Sequence, residues 1–172
     1  MTLTIGGNDF KKDRTSIWNP AISEPLADDF EQNLHLVVDR LEQKYTGELY
    51  ILVATIHDPG DGQDAVYDRT GLDESENVCA ILFLLEGLGV QDEAHANLDY
   101  WNTKYPAVAT ARDPLYVADL HDRFLGHGVN YNDPNSPYYD EADPTMWIQG
   151  DCVHPNDRGD SEIRRLFWEM TE

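Results

Sequence analysis

Apolar residues along this chain fall into short runs of strand length separated by stretches of helical period. Residues 2–5, 49–56 and 115–119 are such runs, and the middle one is apolar almost throughout, which is typical of a parallel strand covered on both faces. A helix is predicted where apolar residues recur at three- and four-residue spacing with charges opposite. Those positions are Leu26, Phe30, Leu34, Val37, Val38 and Leu41.

Three more helices are predicted, over residues 74–88, over residues 91–101 and from about Asp157 onward. Residues 13–25 are predicted to form an irregular loop. Residues 126–144 are rich in Asn, Asp, Pro and Tyr, and a loop of that length is typical of a functional segment. Strands that alternate with helices predict an α/β domain with a parallel sheet.

Composition favours one globular domain, since 172 residues with 41% hydrophobic content suffice for a core. The formal charge of −21, from 33 acidic and 12 basic residues, argues against binding to nucleic acid or to an anionic membrane. Only four basic residues are lysines, which fits either a hydrated surface suited to high salt or an ordinary acidic protein. No apolar stretch reaches the roughly 18 residues of a membrane span.

The most informative motif for chemistry is Asp151-x-x-His154, followed by Pro155 and Asn156. A carboxylate three residues before a histidine can hold the imidazole in one tautomer while its other nitrogen takes a proton from a nucleophile. His154 is therefore a candidate general base, and Asp151 is its orienting partner. The alternative is an exposed loop histidine that precedes a helix cap at Asn156.

A second motif, Gly6-Gly7-Asn8-Asp9, directly follows the first strand. The Asn8 amide is a candidate oxyanion donor, and the glycines allow close backbone approach. The alternative for Asn8 is a turn asparagine, and Asp9 is expected to support the turn by hydrogen bonding.

Gly6-x-Asn8-Asp9 after a strand and Asp151-x-x-His154-Pro155-Asn156 before a last helix, in that order, resemble the later blocks of the SGNH (GDSL) serine hydrolases. The resemblance extends from residue 2 to about residue 168. It implies a flavodoxin-like three-layer α/β/α fold with strand order 2-1-3-4-5. It also implies a carboxylic ester hydrolase with catalytic Asp151 and His154, and an oxyanion hole that includes Gly6 and Asn8. The implied substrate is a small-molecule, carbohydrate or lipid ester, with no cofactor and no metal.

The chain departs from the family pattern because no Gly-Asp-Ser nucleophile block precedes Gly6. Gly159-Asp160-Ser161 spells that motif, but it follows His154 and is predicted to open the last helix, whereas a nucleophile elbow needs a strand-to-turn context. Residues 1–172 are therefore expected to be the C-terminal portion of a single SGNH-like domain, truncated at its N-terminus and inactive alone. The alternative is a non-catalytic α/β binding or assembly module built on the same scaffold.

A sheet that lacks its first strands would leave residues 2–5 with unpaired backbone groups, which predicts self-association through that strand. The localisation stays open.

Two cysteines, Cys79 and Cys152, leave a disulfide and a buried free thiol at Cys79 as alternatives. The run from His57 to Asp61 suggests a metal loop but lacks the alternating ligand spacing of a calcium site, so no metal is expected there. Three aromatic residues could line an acyl pocket or cover the core. They are Tyr138, Tyr139 and Trp147.

Overall fold

The computed structural model describes residues 1–12, 14–63, 65–73 and 77–172. The strands are β1 (Thr2–Thr4), β2 (Ile51–Ala54) and β3 (Leu115–Ala118). The helices are α1 (Gly7–Phe10), α2 (Pro20–Lys44), α3 (Asn77–Leu88), α4 (Gln91–Asn102), α5 (Lys104–Ala111), α6 (Leu120–Phe124) and α7 (Asp157–Glu169), with a 3₁₀ turn over Arg14–Ile17. The chain groups into a first unit, Met1–Ile56 with Ala96–Asp119, and a second unit, His57–His95 with Leu120–Glu172.

The first unit contains a parallel three-stranded sheet in the order β1-β2-β3. Leu3 lies opposite Val53, and Val53 lies opposite Val117, so apolar side chains share one face. All four residues of β2 are buried, as its continuous apolar run predicts. The α/β class and the parallel strands are confirmed.

Helix α2 supplies the main helical wall of this unit's core, and its buried face includes Phe30, Leu34 and Val38. The loop predicted for residues 13–25 is wrong beyond residue 19, because α2 begins at Pro20. The Asn19 side chain accepts a hydrogen bond from the Ala21 amide, and proline suits the first helical position, where no amide partner is needed.

Aromatic residues complete this core. The Trp101 and Tyr105 rings lie 5.6 Å and 5.2 Å from the Phe30 ring, and all three are buried. Tyr105 belongs to α5, a helix that the apolar pattern does not predict because eight residues with Pro106 in the first turn give little periodicity.

The second unit contains α3, α6, α7 and long connecting loops. The helix predicted over residues 74–88 is confirmed from Asn77 onward, and residues 74–76 lie outside the described part of the chain. Helix α7 begins after Asn156, whose side-chain oxygen accepts the amides of Arg158 and Gly159. Within the described ranges, no helix is both long and apolar enough to cross a bilayer.

Candidate functional site

Asp151 and His154 form a hydrogen-bonded pair in the loop before α7. The Nδ1 atom of His154 lies 2.6 Å from Oδ2 of Asp151. The other carboxylate oxygen, Oδ1, accepts the amides of Val153 and His154, each at 3.0 Å. One carboxylate therefore orients both the imidazole and the backbone that carries it.

The base of this loop is a short antiparallel contact. Ile148 pairs with Pro155, and the Gln149 amide donates to the His154 carbonyl at 2.7 Å. Asn156 adds two side-chain hydrogen bonds, to the carbonyls of Met146 and Ile148. Because the same Asn156 caps α7, the helix and the loop are fixed by one residue.

A disulfide joins Cys152, inside the loop, to Cys79 in α3. Both cysteines are fully buried. Cys152 has a positive φ of 65°, a left-handed conformation that is uncommon for a residue with a side chain. The disulfide left open by the sequence is thus present, and it ties the middle of the loop to a helix.

The electrostatics of the pair suit proton transfer. Burial would raise the pKa of Asp151, but the His154 ring and the two loop amides outweigh burial and hold the pKa below its usual value. Asp151 therefore stays a carboxylate and favours the tautomer with hydrogen on Nδ1. The His154 side chain is 66% exposed, which leaves Nε2 accessible to a reacting group.

Gly6 and Asn8 lie in the first unit, directly after the carboxyl end of β1. Gly6 has φ of 105°, and a Cβ atom there would lie 2.3 Å from the Tyr105 hydroxyl, so only glycine fits. That hydroxyl donates to the Ile5 carbonyl at 2.6 Å. Asn8 lies in the short helix α1 and is exposed.

The four serines in the described part of the chain form hydrogen bonds with residues other than His154. Ser16 and Ser161 donate to the carbonyls of Phe10 and Asp157, respectively. Ser23 accepts the Trp101 ring N–H, and Ser136 accepts the Tyr138 amide. Ser161 lies within α7, as predicted. Ser75 lies outside the described residues.

The run from His57 to Asp61 contains two buried carboxylates in different surroundings. Asp58 accepts the amides of Gly60 and Gly62 and lies 2.8 Å from Nδ1 of His95. Burial would raise the pKa of Asp58, but His95 and these amides hold it below its usual value.

Asp61 accepts three amides from a distant loop, those of Gly126, Gly128 and Asn130, at 2.8–3.0 Å. A Cβ atom on Gly128 would lie 2.8 Å from the Asp61 carboxylate, so glycine permits this approach. Burial raises the pKa of Asp61 to about 7 although the three amides oppose it. The carboxylates of Asp58 and Asp61 both accept hydrogen bonds from N–H groups. These hydrogen bonds give the two aspartates a structural role in place of the metal binding considered from the sequence.

His57, the residue before Asp58, contacts an aromatic residue of the second unit. The centroid of its ring lies 5.1 Å from that of the Phe124 ring. Its Nε2 atom is buried and has no hydrogen-bond partner in the described residues. Burial lowers the pKa of His57 to about 4, so the ring is neutral near pH 7.

Of the aromatic residues considered for a pocket, Trp147 is buried and stacks on His127 with ring centroids 3.5 Å apart. Tyr138 is exposed. Trp147 therefore belongs to the second unit's interior.

Asp151, His154, Gly6 and Asn8 are predicted from sequence motifs, but the contacts of Asp61 are not. The amides that Asp61 accepts lie 65 to 69 positions further along the chain, and so large a separation leaves no local signal in the sequence. No family model, no curated protein and no solved structure matches this chain.

Proposed function

We propose that this chain carries the acid–base and oxyanion residues of an SGNH-type ester hydrolase. The observation that carries the proposal is the Asp151–His154 pair, with 2.6 Å between Oδ2 and Nδ1 and with Nε2 accessible. In such a hydrolase, Nε2 of His154 removes the proton of a serine hydroxyl as the oxygen attacks the ester carbonyl. Protonated His154 then gives that proton to the leaving alcohol.

Asn8 is assigned to the oxyanion hole in this proposal, with Gly6 shaping the turn before it. The side-chain amide of Asn8 would donate to the oxygen on which negative charge develops. Its place after the carboxyl end of a parallel strand supports this role, because α/β proteins bind ligands at that edge. The order β1-β2-β3 equals the last three strands of the 2-1-3-4-5 order, which supports the flavodoxin-like three-layer fold.

In this proposal none of the four described serines is the nucleophile, because each forms hydrogen bonds with residues other than His154. The chain alone is therefore expected to give no stoichiometric labelling by a fluorophosphonate probe. Labelling of Ser161 would contradict this assignment and place the nucleophile on α7.

The decisive experiment adds a strand and a Gly-Asp-Ser turn from an SGNH hydrolase before residue 1 and measures hydrolysis of p-nitrophenyl esters. We expect activity that His154→Ala lowers by roughly three orders of magnitude in kcat. Asn8→Ala should cost about one hundred-fold, as for other oxyanion donors.

Ser161→Ala is the matched control. It removes the serine of the Gly159-Asp160-Ser161 sequence in α7 and should leave activity unchanged. A folded extended chain without esterase activity, or one that keeps full activity as His154→Ala, would overturn the proposal.

A further inference from the structure

The first unit has an open depression at the amino ends of β2 and β3. Its volume is about 350 Å³, and it lies between the end of α2, the segment over residues 45–50 and the turn that leads into β3. Gly6 and Asn8 follow the carboxyl end of β1, so the depression is at the opposite edge of the parallel sheet. Three tyrosines and three carboxylates are prominent in its lining.

The tyrosines are Tyr45, Tyr50 and Tyr116, and all three are exposed. Tyr116 lies opposite Leu52 in the β2–β3 pairing, and Tyr50 precedes Leu52 by two residues, so both tyrosines are on one face of the sheet. The Tyr50 and Tyr116 ring centroids are 6.0 Å apart. One bound group can therefore contact both rings, because a cation is attracted to a ring within about 6 Å of its centroid.

The charged residues of the lining all have the same sign. They are Glu42, Glu48 and Asp113, and among the described residues that line the depression none is basic. Arg112 precedes Asp113, but its guanidinium pairs with Asp39 at 2.8 Å and is 3.9 Å from Glu42. The depression therefore favours a cationic ligand over an anionic one.

We propose that this depression binds a small organic cation, an alkylated ammonium compound. The tyrosine rings would contact its alkyl groups through cation–π attraction, and the carboxylates would balance its charge. An uncharged sugar would gain nothing from the charge, and a hydrated metal ion would gain little from the rings, whereas an organic cation uses both. The volume is near the lower end of the roughly 300–1,000 Å³ of small-molecule pockets, which suits a small ligand.

The test is an NMR titration of the ¹⁵N-labelled full chain with choline and, separately, with 3,3-dimethyl-1-butanol, a neutral analogue of the same shape. We expect choline to shift the amide signals of residues 45–50 and 113–116 with a Kd of about 1 mM. The neutral alcohol should bind about ten-fold more weakly, since it lacks the charge. Added salt should weaken choline binding, because the carboxylates are exposed.

Matched variants separate the rings from general effects. Tyr50→Ala should raise the Kd for choline about five-fold, whereas Tyr50→Phe keeps the ring and should bind as wild type does. Tyr138→Ala removes an exposed tyrosine of the second unit and should leave the Kd unchanged. Equal effects of Tyr50→Ala and Tyr138→Ala would overturn the proposal.

The wild-type titrations decide the proposal even if Tyr50→Ala fails to fold. Equal affinity for choline and the neutral alcohol, or no shift of these amides at about 50 mM choline, would overturn it. A peptide that carries trimethyllysine should bind no more tightly than choline. Binding of that peptide more than about ten-fold tighter would overturn the assignment to a small free cation. These outcomes do not depend on esterase activity, so failure of the proposed function would leave them unchanged.

Discussion

At the scale of single residues, the second unit shows how partners decide the state of a buried carboxylate. Asp58 and Asp61 are both buried and both accept backbone amides. Asp58 also meets His95, which holds its pKa below the usual value, whereas burial raises the pKa of Asp61 to about 7. The nearby imidazole of His95 therefore accounts for the lowered pKa of Asp58, and among the described residues Asp61 has no such ring beside it.

Asp61 predicts an unusual pH dependence of stability. An acid with a folded pKa above its unfolded value stabilises the fold when protonated, so its contribution falls as pH rises from about 4 to 7. A shift of about three units corresponds to about 4 kcal/mol in the free energy of unfolding. Denaturant unfolding across this pH range measures it.

Asp61→Asn is the matched variant, since it keeps a carbonyl acceptor and cannot titrate. Its stability should be flatter between about pH 4 and 7 than that of wild type. Asp58 works in the opposite direction, since its lowered pKa gives a contribution that is lost below its ordinary value of 3.8. An identical slope in wild type and Asp61→Asn would contradict the role given to Asp61.

At the scale of elements, the Asp151–His154 loop is joined to two helices. Asn156 connects it to the start of α7, and the Cys79–Cys152 disulfide connects it to α3. The loop has no regular secondary structure of its own, so its geometry depends on these connections.

Reduction of the disulfide is expected to lower the free energy of unfolding by about 4 kcal/mol, because the bond closes a loop of 73 residues in the unfolded chain. Urea unfolding with and without reductant measures the difference. The double variant Cys79→Ala, Cys152→Ala should be less stable than wild type and insensitive to reductant. An equal free energy of unfolding for oxidised and reduced protein would show that the disulfide does not stabilise the fold.

The sequence predicted elements well where a regular pattern exists. The apolar runs at β2 and β3 and the periodic face of α2 came from patterns within each element. The start of α2 differs from the loop predicted over residues 13–25, because Asn19 caps the helix and Pro20 occupies its first position.

Within the candidate site, Asp151 and His154 were predictable because they are three residues apart. The contacts of Asp61 were not, because the amides that it accepts lie 65 to 69 positions further along the chain. The Cys79–Cys152 disulfide stayed open for a similar reason, because 73 positions separate the two cysteines in the sequence.

At the scale of the whole molecule, the net charge and the open edge of the sheet have opposite effects on self-association. The formal charge of −21 repels other copies of the chain. The Met1 carbonyl accepts the Leu52 amide, so the alternation of a parallel ladder directs the amides of Thr2 and Thr4 away from β2. Within the described sheet, β1 is an edge strand.

Self-association is therefore expected to grow as salt screens the repulsion, and light scattering across a salt series measures it. Thr4→Glu should reduce it by placing a charge on the edge. Thr110→Glu, an equal change at an exposed position on α5, should reduce it less. Thermal melts in the same series separate association from any stabilisation by salt. A monodisperse monomer at every salt concentration would contradict the expectation.

The Asp61 contacts also bear on the order in which the chain acquires its structure. They join residues that are 65 to 69 positions apart in the sequence. Closing so long a segment costs chain entropy before any contact can repay it, so such contacts tend to form after the local helices. The carboxylate would then enter its final surroundings late, and the barrier to leaving the native state, more than the speed of reaching it, would depend on Asp61.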